Sequence, residues 1–153
     1  MERANDPVLF GDRLAVARRT WVAAMGDGLA QRGYRDYRRS DAFVARRLVA
    51  GPLAVGGLAG PLGTTRQGAR KMVAGLEERG LARTTRDPDD GRRVLVTLTA
   101  SGKRYARAVA STIDELHATV ARDVPAGELA SAGRVLLRVA SALEQTRDEG
   151  GLT

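Results

Sequence analysis

The sequence predicts a mainly α-helical protein carrying one small β-hairpin, and three observations predict it. Ala69, Met72, Val73 and Leu76 recur at the spacing of a single helical stripe, and Thr64 and Gly80 bracket that stripe as N-cap and stop. Residues 81–86 and 93–98 read as strands, and Asp87-Pro88-Asp89-Asp90-Gly91 between them is turn chemistry. Long amphipathic helical patterns flank this stretch on both sides. A helix with a basic outer face followed by a basic hairpin is the pattern of a winged helix-turn-helix.

Taken in order, the first helix starts at Asp6-Pro7, a carboxylate cap followed by proline at the first helical position. Leu14, Trp21, Met25 and Leu29 carry it to a stop near Gly33. Gly26 and Gly28 weaken it by roughly 1 kcal/mol each relative to alanine, a cost that packing must offset. A basic connector with two tyrosines covers 31–39. Ser40 is read as the cap of a second helix, 41–50, with Phe43, Val44 and Leu48 facing inward and Gly51-Pro52 stopping it. The segment 53–63, LAVGGLAGPLG, reads as a short extended piece and then a poor helix holding Leu58 and Leu62. In the helix 64–79, Gln67 is placed to complete a capping box with Thr64.

Beyond the hairpin, Thr99 caps a helix with Tyr105, Val109, Ile113, Leu116 and Val120 on one stripe, and Pro125 ends it. The final helix, about 126–147, carries Leu129, Ala132, Leu136, Val139 and Leu143. Val135 and Leu137 widen its apolar face beyond one stripe, which points to burial on more than one side, as in a dimer interface.

Composition narrows the function classes. A chain of 153 residues supports one domain with a real core. Lysine and arginine number 25 against 18 acids, a net charge of +7, which favours phosphates or anionic surfaces. The sequence has no cysteine and one histidine, so neither a metal site nor a cofactor is expected, and no acid pair has a catalytic setting. These features argue against an enzyme. No apolar run reaches a membrane span and the N-terminus lacks a signal-peptide core, so a cytoplasmic protein is expected. The glycine run Gly57-x-x-Gly60-x-x-Gly63-Thr64 matches neither phosphate-loop spacing, and no lysine follows it.

From Leu53 to Gly102 the sequence resembles the MarR family of bacterial transcription regulators. The resemblance rests on LAVGGLAGPLGTTRQGARKMVAGLEERGL and on the wing RDPDDGRRVLVTLTASG, with its acidic turn, arginine pair and closing Leu-Thr-x-x-Gly. Outside this stretch it is one of helix order. The chain departs from the family in GGLAGPLG, where relatives carry a polar, alanine-rich turn bearing glutamate. The resemblance implies a single MarR-type domain over 1–153. Its DNA-binding lobe would be 36–98, and its helical dimerisation half 7–33 with 99–147. It further implies a homodimer, a wing-tip arginine in the minor groove, and a pocket for a small aromatic or anionic effector.

The candidate DNA-binding residues are Thr64, Thr65, Arg66, Gln67, Arg70 and Lys71 on the helix, with Arg86, Arg92 and Arg93 on the wing. Arginine reads guanine and glutamine reads adenine by paired hydrogen bonds, and threonines at a helix N-terminus suit phosphate. The plain alternative for these charges is a solvated face. Either Arg92 or Arg93 is expected in the minor groove, with Asp87, Asp89 and Asp90 orienting the arginines. Arg35, Arg38 and Arg39 are candidates for phosphates at the footprint's edge. Trp21, Met25, Tyr34, Tyr37 and Phe43 are the candidate effector-pocket residues, the plain alternative being core. The expected function is a dimeric, sequence-specific double-stranded DNA-binding transcription regulator, a repressor released by an effector. The alternatives are a winged-helix module for protein contact and a non-specific architectural DNA binder.

Overall fold

The computed structural model describes residues 7–61 and 63–150. Its elements run α1 (Pro7–Gln31), α2 (Arg39–Leu48), β1 (Leu53–Ala54), a 3-10 turn (Val55–Leu58), α3 (Arg66–Glu78), β2 (Ala82–Arg86), β3 (Val94–Leu98), α4 (Ala100–Val120) and α5 (Ala126–Gly150). One compact unit ends at Asp114 and a second begins at Glu115. The Asp6 cap and Leu62 lie outside the described residues.

In the first unit, the stripe of α1 reaches the core only in its second half. Met25 and Leu29 are buried, Trp21 is half-buried, and Leu14 is exposed. Gly28 has a packing reason: a Cβ there would collide with the Thr112 side chain of α4. The helix penalty of this glycine is thus exchanged for a close helix–helix approach. Ser40 does not cap α2. The helix begins two residues earlier than expected, at Arg39 after Arg38, which gives no side-chain cap, and Ser40 sits inside the first turn, donating to Asp41 Oδ1 at 3.3 Å. The buried Asp41 carboxylate supplies the negative charge that a helix N-terminus favours. Within α2, Val44 and Leu48 are buried, whereas Phe43 is half-buried.

The extended piece at 53–54 is a strand. It pairs antiparallel with β3, Leu53 opposite Val96, and gives a three-stranded sheet in the order β1-β3-β2. The hairpin itself pairs Ala82 with Leu98 through Arg86 with Val94. Val96, on the central strand, is fully buried. The poor helix expected over 53–63 is a single 3-10 turn, as its glycine content allows, with Leu58 buried as the anchor.

The string Leu98-Thr99-x-x-Gly102 is a joint between wing and α4. Thr99 caps α4 by accepting from the Gly102 N–H at 3.0 Å, and its own hydroxyl donates to the Gly80 carbonyl at 2.6 Å. Gly102 sits where any Cβ would overlap the Leu81 carbonyl, so the joint requires glycine. Deeper along α4, Tyr105 and Val109 are buried and Ile113 is half-buried. Burial pushes the Tyr105 phenol up to about 12, the Arg79 charge acting in the opposite direction.

The second unit holds the end of α4, a tight turn and α5. Val124 N–H donates to the Val120 carbonyl, and the Pro125 carbonyl accepts from Glu128 and Leu129 to start α5. Leu129, Val135, Leu136, Leu137 and Leu143 are all exposed. Among the described residues, no helix is long and apolar enough to cross a membrane.

Candidate nucleic-acid interface

The site begins with how α3 is held. Ala69, Val73 and Leu76 are buried beneath it, and Met72, at the edge of the stripe, is only half-buried. A left-handed Gly80 (φ +68°) ends the helix, with Gly80 N–H donating to Glu77 and Leu81 N–H to Leu76. This is a full Schellman closure. Arg79, the last cap residue, stands 2.8 Å from the buried Asp41 carboxylate and donates to the Asp36 carbonyl at 3.1 Å. The C-terminal end of α3 is thereby fixed to α2 and to the loop before it.

At the other end the cap differs from expectation. The N-cap is Thr65, not Thr64: its backbone is extended and its hydroxyl accepts from the Gly68 N–H at 3.0 Å. Thr64 instead uses its N–H to bond the Ala59 carbonyl. Gln67 is therefore the second helical residue, one short of the position from which a capping-box side chain reaches back. Its exposed side chain is not committed to the cap that spacing assigned to it.

The outward face of α3 and the wing enclose a groove of about 540 Å³. Arg66 and Arg70 of α3 line it together with Arg92 and Arg93 of the wing tip. Four of the nine predicted DNA-binding residues thus share one surface. Lys71, a residue further round the helix, lines a separate groove with Arg38 and Ser40 of α2. Arg86 is exposed at the end of β2 and is not part of the arginine groove.

The wing acids shape the tip. Asp87 accepts from the Asp89 N–H and Asp90 from the Arg92 N–H, each at 3.0 Å, two Asx turns in succession. Asp87 also pairs with Arg93 at 3.6 Å. No ion pair holds Arg92 among the described residues, and its side chain is exposed. The two neighbouring arginines are consequently unlike: one is tethered at the base of the turn, the other stands at its tip.

A second cleft, of about 270 Å³, gathers Trp21, Met25, Tyr37 and Phe43. Tyr34 is not among its walls; half-buried, it packs edge-on against Tyr105, ring centroids 5.1 Å apart. Three arginines complete the cleft: Arg18 and Arg46, which the sequence reading did not single out, and Arg39, which it assigned to the edge of the DNA footprint. A signal for them exists, since they lie three or four residues from Trp21 or Phe43 and share their helix faces. Burial raises the Tyr37 phenol above its usual range, with the Arg39 charge opposing the shift.

Buried helix, helix stop, three-stranded wing and arginine groove together define a winged helix-turn-helix protein. Residues 64–102 match the winged helix DNA-binding domain family. Similar solved structures include the PcaV transcriptional regulator from Streptomyces coelicolor in complex with its natural ligand (26% identity, TM-score 0.75, covering 94% of this chain and 97% of that one). A mutant MarR from E. coli complexed with operator DNA is 19% identical, with a TM-score of 0.74 over 91% of this chain and 99% of its own. The S. aureus MepR–DNA complex gives 22% identity and a TM-score of 0.74 over 88% and 97%. No curated protein matches the sequence. The MarR resemblance read in the helix-turn-helix and wing extends to the whole architecture: this chain has the fold of the MarR-type regulators.

Proposed function

We propose that this chain is a dimeric, sequence-specific double-stranded DNA-binding transcription regulator that acts in the cytoplasm and is not an enzyme. The observation that carries the reading is the arginine groove, in which side chains from α3 and from the wing face the same space. In this reading α3 enters the major groove, where Arg66, Gln67 and Arg70 meet base edges. Thr64, Thr65, Lys71 and Arg86 contact phosphates, which position without reading sequence. Arg92 enters the minor groove, and Arg93, tethered by Asp87, braces it.

The lobe 36–98 binds DNA, and the helices 7–33 and 99–147 form the dimerisation half. The exposed apolar residues of α5 support this, as do Phe10, Leu14 and Val16 on α1. Two-fold symmetry then requires a pseudo-palindromic operator with half-sites about one helical turn, ~34 Å, apart. The cleft that combines Trp21, Tyr37 and Phe43 with Arg18, Arg39 and Arg46 suits a small aromatic anion. Such an effector releases the repressor by favouring a lobe separation that does not match the operator.

Selection of bound fragments from sheared genomic DNA tests the reading. The expected product is a pseudo-palindrome in which A·T-rich positions flank each half-site. Fragments no more enriched than competitor DNA would identify a protein-contact module. Retention of DNA with a specific-to-non-specific ratio near one would identify an architectural binder.

A further inference from the structure

Glu77 occupies a place where local physics does not favour a carboxylate. It lies in the last turn of α3, which has no basic residue there, and the carbonyl end of a helix favours cations. It also lines the arginine groove, where a negative charge subtracts from the attraction for phosphate. Its compensation is on the wing. Glu77 Oε1 accepts from the Thr84 backbone N–H at 2.7 Å and from the Thr84 hydroxyl at 2.8 Å.

Thr84 is the middle residue of β2, and β2 is an edge strand of the sheet. An edge strand presents N–H groups with no neighbouring strand to receive them. One of these groups is received by the DNA-facing helix itself. A single carboxylate oxygen, holding two charge-assisted hydrogen bonds, thus ties the outer edge of the wing to α3. The only covalent path between the two residues is the helix stop and the first residues of β2.

We infer that Glu77 is a positioning residue: it fixes the angle between α3 and the wing, and with it the distance along the duplex between the bases read by α3 and the minor-groove position of Arg92. The inference rests on the DNA-binding reading above. A wing already held at its working angle loses less freedom on binding, and it discriminates against half-sites whose inner and outer parts are differently spaced.

The test compares the full-length protein with Glu77→Ala and Glu77→Gln, each selecting from a pool of random duplex DNA. Glu77 is exposed and alanine is the best helix former, so α3 persists in both variants. Both remove the same charge, but the glutamine amide oxygen still accepts from Thr84. The preference at the inner, α3-read positions is expected to survive in all three proteins. The A·T preference at the outer positions is expected to flatten in Glu77→Ala and to persist in Glu77→Gln. Affinity of Glu77→Ala for the best wild-type site should fall roughly tenfold, the scale of one charge-assisted hydrogen bond. If both variants bind more tightly with unaltered preference, Glu77 acts through charge alone and the latch is overturned. Hydrogen exchange of the Thr84 amide in the DNA-free proteins separates this inference from the reading it rests on. Faster exchange in Glu77→Ala than in Glu77→Gln supports the latch even if the wild type selects no sequence. Equal exchange in all three proteins overturns it whatever the DNA shows.

Discussion

α3 and α5 are both amphipathic helices, yet they resolve their apolar faces in opposite ways. Beneath α3, Ala69, Val73 and Leu76 are covered by the chain's own residues, and the exposed face carries arginine, glutamine and lysine. Along α5, Leu137 keeps 74% and Leu143 62% of its surface open to solvent. At about 1.5–3 kcal/mol for each large side chain left uncovered, burying this face against another surface would stabilise the helix substantially. The contrast lies in what each helix leaves to solvent: a polar face on α3 and an apolar one on α5. Under the proposed function the first meets DNA and the second meets another copy of the chain.

The comparison breaks most decisively at α5. Replacing Leu136 and Leu143 together with glutamate should raise the dimer dissociation constant on the order of a hundredfold or more, because charge is forced into an apolar interface. Sedimentation velocity reads this directly, and a wild-type protein that sediments as a stable monomer at micromolar concentration would remove the role given to α5. Leu76→Ala acts on the covered side of α3. It should cost about 2–5 kcal/mol in denaturant unfolding, as expected for a leucine with no solvent exposure. A loss below about 1 kcal/mol would mean that α3 does not depend on its buried face.

The smallest effects sharpen the polar face. Arg70→Ala should cost about 1–3 kcal/mol on the selected operator and relax base preference at one position. Lys71→Ala, in its separate groove beside α2, should weaken all sequences alike and lower the salt slope by about one. Unchanged affinity and salt slope in both variants would contradict the docking of α3 in the major groove.

Much of this architecture is legible in the sequence because it depends on near neighbours. The stripe Ala69 to Leu76, the stop at Gly80, the acidic turn of the wing and the Thr99 cap each follow from residues within a few positions of one another. Errors arise where two local solutions are equally good. Thr64 and Thr65 are both N-cap formers, and the helix starts so that Thr65, with its extended backbone, is the one whose hydroxyl accepts from the Gly68 N–H. Ser40 loses its cap role because α2 begins two residues earlier than expected, with Asp41 in its first turn meeting Arg79 across 38 residues of chain. The strand at 53–54 has too few residues to carry an alternation signal, so its pairing with β3 is invisible without the fold.

The candidate sites divide along the same line. The arginines of α3 and the wing tip are legible as a group, since helix period and turn chemistry place them. That Arg92 and Arg93 differ depends on one carboxylate, Asp87, folding back over the turn. The aromatic residues of the cleft are recoverable from periodicity, except that Tyr34 goes to Tyr105, while Arg18, Arg39 and Arg46 join from α1 and α2.

By itself, then, the sequence determined the order of helices and strands, the buried stripe of α3 and the basic character of the face opposite it. Periodicity, capping and turn chemistry act over a few residues, and a chain cannot avoid expressing them. Only the tertiary structure decided which threonine caps α3, which arginine of the wing tip pairs with Asp87, and that Glu77 reaches across to Thr84. Those outcomes are set by donors and acceptors brought together from different elements, and an unpaired edge N–H finds its carboxylate only once the wing has packed beside α3.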